Sequence, residues 1–198
     1  MKHIRPAIMM IVVMTIITGL VYPLGMTGIA QLVFPYQANG SLIAKDGKVI
    51  GSELIGQNFA SDKYFHSRPS ATTEPDPKDA TKTITVPYAA DNSAASNLGP
   101  TSKALVDRVK GDAGTLAKQN PGTPIPSDLV TTSASGLDPD VTPAGALFQV
   151  PRVAKARGLP EAQVHDLVED HITGRLFGII GEPHANVLKL NLALDAMK

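Results

Sequence analysis

No charged residue occurs between Arg5 and Lys45, and inside that stretch Ala7 to Val33 reads AIMMIVVMTIITGLVYPLGMTGIAQLV, 27 residues without a charge. A bilayer core of about 30 Å needs only about 20 helical residues, so the run is long enough to span it. Gly19, Pro23 and Gly25 would break a helix in water, but Gly and Pro are commoner in membrane helices, where neighbouring groups accommodate a kink. Lys2 and Arg5 stand just before the run, so the positive-inside rule places that end in the cytoplasm. The expected organisation is a cytoplasmic tip and transmembrane helix over residues 1–35, then one extracytoplasmic domain over 36–198, on a single-pass chain of the cell inner (plasma) membrane. A cleaved signal peptide competes, because Gly28-Ile29-Ala30 offers small residues before Gln31. The stretch is, however, about twice a usual signal core of about 7 to 15 residues, which favours the anchor. If the helix stays, the Thr15-x-x-x-Gly19 pair lets a partner helix approach closely. A lipid-bathed face is the other reading of the same residues. No ionisable group lies inside the run, so no ion or proton pathway is expected along it.

The chain carries 18 Lys plus Arg against 18 Asp plus Glu, a formal charge of zero. All 18 acids and all bases but Lys2 and Arg5 follow the apolar run, leaving the domain at −2 (16 bases against 18 acids). A nucleic-acid binder normally shows a basic surplus, so that class is not expected. There is no cysteine, which excludes disulfides, thiolate nucleophiles and Cys-ligated zinc.

The 163 residues after position 35 suit one domain with a core. Ser41 to Ile55 holds two β-prone runs around Asp46-Gly47, a pair that favours the positive φ angles of a tight hairpin. From Pro69 to Asn97 the chain is rich in Pro, Thr, Ala and Asp and poor in large apolar groups, so a mobile excursion is expected there. Ser102 to Lys118 has helical spacing. Thr142-Pro143 is an N-cap followed by proline, starting a helix expected to bend or break at Pro151 and to stop near Gly158. Pro160 opens another helix, with Val164, Leu167, Val168 and Ile172 as its apolar stripe up to Gly174. Leu188, Leu190, Leu192 and Leu194 alternate with other residues, a two-residue period that predicts a half-buried strand. The expected class is α+β.

The motifs of common chemistries are missing. The only Gly-Lys, Gly47-Lys48, is followed by Val49, so no phosphate loop is present, and the aspartyl-phosphate signature of P-type pumps is absent too. No serine sits in a nucleophile elbow or is followed at the third position by lysine. His165 and Glu169 share a helix face at i and i+4, but a solvated charged face explains them better than a metal, and Asp138-Pro139-Asp140 reads as a turn rather than a calcium loop. The expectation is thus no catalytic set and no metal site. The loop Ser133 to Pro139 (SASGLDP) precedes a helix and has amides that suit an anion, or else serines that cap their own turn, the blander reading. Arg152, Arg157 and Arg175 have two readings, pairing with carboxylates of a partner or with Glu161, Asp166 and Glu182 of their own domain.

The stretches Gly51 to Gln57 (GSELIGQ), Tyr64 to Ala71 (YFHSRPSA), Ala94 to Pro100 (AASNLGP), Ser133 to Pro139, Gln149 to Ala154 (QVPRVA) and Asn186 to Asn191 resemble the KdpC family, the C subunit of the bacterial Kdp potassium-transporting ATPase, over nearly the whole length. Two positions depart from the family pattern: His184 follows Glu182-Pro183 where the family carries a basic residue, and Asp140 stands where it often has His. The resemblance implies a non-catalytic accessory subunit of a high-affinity, ATP-driven potassium uptake complex. Its partners would be a channel-like potassium-binding subunit, a P-type ATPase subunit and a small helical subunit, besides the lipid bilayer. Thr15, Gly19, Arg152, Arg157 and Arg175 are then the candidates for docking. The family is also described as a catalytic chaperone that raises the ATP affinity of the pump subunit. That implies nucleotide contacts at Ser133, Ser135, Gly136 and Gln149, with ATP as a cofactor reached through the pump subunit. An N-terminus held inside by Lys2 and Arg5 would put those residues across the bilayer from cytosolic ATP. A free-standing, membrane-anchored envelope enzyme or binding protein is the rival reading.

Overall fold

Pro23 has no N–H to donate and its ring crowds the carbonyl of Gly19, so a helix that runs through it has to widen or bend nearby. The computed structural model, which describes residues 2–197, shows the widening. Helix α1 (Ile4–Ile16) passes through one wide π turn (Ile17–Val21) into α2 (Tyr22–Val33), giving a continuous apolar helix of 30 residues, about 45 Å at 1.5 Å per residue. None of its side chains is buried within the chain. The short α3 (Pro35–Ala38) leads to an antiparallel hairpin of β1 (Leu42–Lys45) and β2 (Lys48–Ser52). Asp46 at φ 52° and Gly47 at φ 76° form its turn, as the pair predicts. These elements form one of two compact units, residues 1–52; residues 53–198 form the other.

The second unit is α+β. Its elements are β3 (Thr73–Asp76), β4 (Asp79–Thr85), α4 (Lys103–Gln119), β5 (Asp140–Val141), α5 (Pro143–Arg157), α6 (Glu161–Asp170), β6 (Ile172–Thr173), β7 (His184–Asn186) and α7 (Val187–Ala196). The three short strands β5, β7 and β6 pair in that order, all antiparallel, and the core lies among α5, α6, α7 and β7. Val141, Ala146, Val153, Val164, Val168, Ala185, Val187, Leu190 and Leu194 fill it, and Phe65 joins them from an extended segment.

Three expectations are corrected. Residues 188–194 form helix rather than strand. Val187, Leu188, Leu190, Asn191 and Leu194 are the buried positions, at helical spacing, and Asn186 caps the start by accepting from the Lys189 amide at 3.1 Å. The alternating leucines are good helix formers, and no β-branched residue lies between 188 and 196 to favour a strand. Helix α5 is not interrupted at Pro151 but continues to Arg157, where Gly158 ends it in the left-handed conformation. Seven of its residues are buried, so packing on both sides of the proline outweighs one lost hydrogen bond. Ile172 does not extend the α6 stripe, because that helix stops at Asp170 and Ile172 begins β6. In addition, the segment 69–97 contains the β3–β4 hairpin, with buried Thr72 and Ala89 flanking it.

Candidate functional site

The segment Ser61 to Arg68 pairs with no strand among the described residues, yet Phe65 is fully buried, so its peptide groups need other partners. Two side-chain amides supply them. Asn191 on α7 accepts from the Phe65 amide at 2.8 Å and donates to the Phe65 carbonyl at 2.9 Å. Gln149 on α5 accepts from the His66 amide at 2.8 Å and donates to the His66 carbonyl at 3.0 Å. Each amide thus pairs both backbone groups of one residue, as a neighbouring strand would. Gln149 also donates to the Gly145 carbonyl at 3.1 Å and accepts from Arg152 at 2.8 Å. Two donors and two accepting sites exhaust an amide side chain, and Gln149 is 3% exposed.

The arginines complete the clamp. Arg152 donates to the carbonyls of Asp62 at 2.7 Å and Tyr64 at 3.0 Å, with its side chain 9% exposed. Burial lowers its pKa, and the Asp62 carboxylate pulls the other way. Arg157 donates to the Lys63 carbonyl and to Asp195, each at 2.7 Å, and lies 4.8 Å over the Tyr64 ring. Neither pairs with Glu161 or Asp166, the own-domain reading of the two; the carboxylates they meet are Asp62 for Arg152, at 3.8 Å, and Asp195 for Arg157. Arg175 does pair with Glu182, at 2.6 Å. His66, in this strap of residues 61–66, has its pKa lowered by burial and by the Arg152 charge, against the raising influence of the Ser61 carbonyl and Asp62.

The Ser133 loop is a second built feature. The Ser133 hydroxyl accepts from the Gly136 amide at 2.9 Å and the Ser135 hydroxyl from the Leu137 amide at 3.1 Å, so the serines cap their own turn. Gly136 sits at φ 68°, and a Cβ there would lie 2.6 Å from the Ala94 carbonyl oxygen and 2.7 Å from Thr72 Cγ2. Only glycine fits that place. Arg68 ties the loop down through Asp138 at 3.0 Å and the carbonyls of Thr131 and Thr132. The Tyr88 hydroxyl donates to the Arg68 carbonyl at 2.7 Å, and burial pushes its pKa up to about 12. Gln149 lines a cleft of about 270 Å³ with His66, Ser67 and Asp112, a cleft that Ser133, Ser135 and Gly136 do not line.

The two positions that depart from the KdpC pattern face each other, His184 Nε2 lying 4.0 Å from Asp140 Oδ2. Burial raises the Asp140 pKa, which His184 and Asn186 counter. Thr15 and Gly19 also stand together, since a Cβ on Gly19 would meet Thr15 Cγ2 at 3.9 Å. His165 and Glu169 are 3.9 Å apart, and among the described residues no group of three or more metal-ligating side chains is close enough to hold an ion. Asn191, Arg68 and Tyr88 were not singled out from sequence. The signal for Asn191 was a lone amide in an otherwise apolar helical face.

The profile of the family described as "KdpC: K+-transporting ATPase, c chain" matches residues 4–196. The chain is 63% identical over 198 residues, all of both chains, to the potassium-transporting ATPase KdpC subunit of Rhodopseudomonas palustris strain BisB18. It is 65% identical over 195 residues to that of Bradyrhizobium diazoefficiens, covering 98% of this chain and 97% of the relative. Against that of Methylobacterium nodulans it is 60% identical over 197 residues, 100% and 98% of the two. With the helix, the clamp and the Ser133 loop all inside the matched span, the chain belongs to the KdpC family, the c chain of the K+-transporting ATPase.

Proposed function

We propose that this chain is a non-catalytic accessory subunit of an ATP-driven potassium uptake complex. Its Ile4–Val33 helix anchors it in the membrane, and the domain after it stands outside and docks on the channel-like and P-type subunits. The observation that carries the reading is Gln149. Buried, with every donor and acceptor taken by its own chain, it acts as a positioning residue for the strap rather than as a ligand contact. The Ser133 loop is of the same kind, its hydroxyls turned onto its own amides. In this arrangement Gln149 has no donor left for a phosphate group, and the Gly136 and Leu137 amides are spent on the serine hydroxyls. The subunit then affects ATP turnover by coupling through the complex, not by holding nucleotide.

Two measurements test this. The full chain, extracted in mild detergent, is expected to co-purify with a pump subunit; extraction as a lone protein supports a free-standing envelope protein instead. The chain has no native cysteine, so Ala95→Cys gives a single reporter in intact cells. A membrane-impermeant thiol reagent added outside is expected to label it, and labelling only after the membrane is opened would overturn the orientation.

A further inference from the structure

Between Gly174 and Gly181 the chain reads RLFGII, and four of those side chains are left in solvent. Leu176 is 59% exposed, Phe177 84%, Ile179 77% and Ile180 57%. Single exposed apolar residues are ordinary on a protein surface, but four within five positions make a contiguous patch. The segment is not loose. Leu176 and Ile180 exchange both backbone hydrogen bonds, at 2.8 and 3.0 Å, and the Gly178 amide donates to the Arg175 carbonyl at 3.0 Å.

The φ angles of its tip have a counterpart in the same chain. Phe177 and Gly178 have φ of 53° and 77°; Asp46 and Gly47, at the β1–β2 turn, have 52° and 76°. The first of two such positions suits Asn, Asp or Gly, whereas a bulky side chain there is strained. The β1–β2 turn has the residue its backbone favours. The other places a phenylalanine where the fold gains nothing from it, neither local preference nor burial.

We propose that Leu176, Phe177, Ile179 and Ile180 form a docking finger that seats in an apolar cleft on another protein subunit of the transport complex. The inference rests on the accessory-subunit reading above. Charge selects protein over lipid as the occupant. From 174 to 183 the only basic residue is Arg175, and it is closed onto Glu182 at 2.6 Å, so the finger stands on a neutral base. Loops that enter an anionic lipid surface present free Lys or Arg, with Trp or Tyr at headgroup level, and none of these is offered here. A stiff apolar knuckle on a neutral base suits an uncharged pocket, and its rigidity limits the entropy lost on seating.

The test uses the full chain co-expressed with its complex and extracted in mild detergent. The double variant Phe177→Ser/Ile179→Ser is expected to lower the amount recovered with the complex about ten-fold, while unfolding at the wild-type temperature. The control Val106→Ser, at an exposed position on α4, is expected to keep wild-type recovery. Phe177→Cys carrying a benzophenone maleimide is expected to photo-crosslink to another subunit of the complex. Crosslinking only to a second copy of this chain overturns the proposal. So does a double variant that keeps its place in the complex but loses binding to phosphatidylglycerol vesicles. If wild type and double variant co-purify equally, the finger fails and the accessory-subunit reading stands; if wild type does not co-purify at all, both fail.

Discussion

Around Phe65 the domain buries polar side chains, and around Phe177 it exposes apolar ones. Both invert the usual distribution, and the difference lies in what becomes of the exceptional groups. At the clamp every polar atom of Gln149 finds a partner within the chain, and Asn191 pairs both backbone groups of Phe65. The two amides explain themselves, because buried polar groups are stable once satisfied, although Arg152 Nε and Ser67 Oγ beside them are buried without a hydrogen-bond partner among the described residues. At the finger nothing among the described residues covers Phe177 or Ile179. A fold accounts for the first and not for the second, so the two should respond to substitution in opposite ways: the clamp in stability, the finger in assembly.

The largest effect is expected at the clamp. Gln149→Ala leaves the His66 amide and carbonyl without their partners in a partly buried strap and removes one of the Arg152 contacts. With each unsatisfied buried group costing about 1 to 3 kcal/mol, a loss of about 3 kcal/mol in unfolding free energy follows. Denaturant titration of the full chain in detergent measures it, and a loss below about 1 kcal/mol would break the contrast between the two regions. Next comes Gly136→Ala. The left-handed conformation and a Cβ within 2.6 Å of a backbone oxygen together make about 2 kcal/mol, read in the same titration.

How much of this was visible in the sequence differs between the regions for physical reasons. Helices α4, α5 and α6 and the Asp46-Gly47 hairpin were legible because caps, prolines and turn residues act locally. The helix α7 was not, because the leucine alternation imitates a strand. Only tertiary burial of Asn191, at a position that alternation turns outward, decides the period. The β3–β4 hairpin is hidden by the mean composition of 69–97, which dilutes the Thr81–Thr85 run and the Asp76 side chain that caps its turn. In the candidate site the Ser133 self-capping was legible. The use of Gln149, Arg152 and Arg157 on the 61–66 strap joins residues more than 80 positions apart, which no local pattern announces.

A smaller effect comes from pH. The folded-state pKa of His66 lies below its ordinary value, through burial first and the Arg152 charge second. As pH falls through the ordinary histidine range of about 6.5, the unfolded chain takes up a proton that the folded chain resists. The stability this contributes is present above that range and lost below it. His66→Gln should therefore give a shallower loss of stability between about pH 7 and pH 5 than wild type, measured by thermal unfolding across that interval. An unchanged slope would mean that His66 is as free to protonate in the strap as in water, and the clamp would then be looser than its hydrogen bonds indicate.

The smallest change in stability is expected from the finger, at Phe177→Asn. Asparagine tolerates the left-handed conformation far better than phenylalanine, and Asn-Gly is a preferred pair for two successive positive φ angles. The side chain removed is 84% exposed, so little packing is lost. The two considerations point the same way, and the variant should match wild type or gain up to about 0.5 kcal/mol. Asp46→Phe, which puts the Phe-Gly pair of the finger into the β1–β2 turn, should lose a similar amount, since the φ angles at the two positions agree to within a degree or two. If Phe177→Asn instead destabilises the isolated chain, Phe177 has a partner inside its own fold and the contrast with the clamp disappears. If stability holds while recovery with the complex falls, the phenylalanine is kept against local preference for what it does in the assembly.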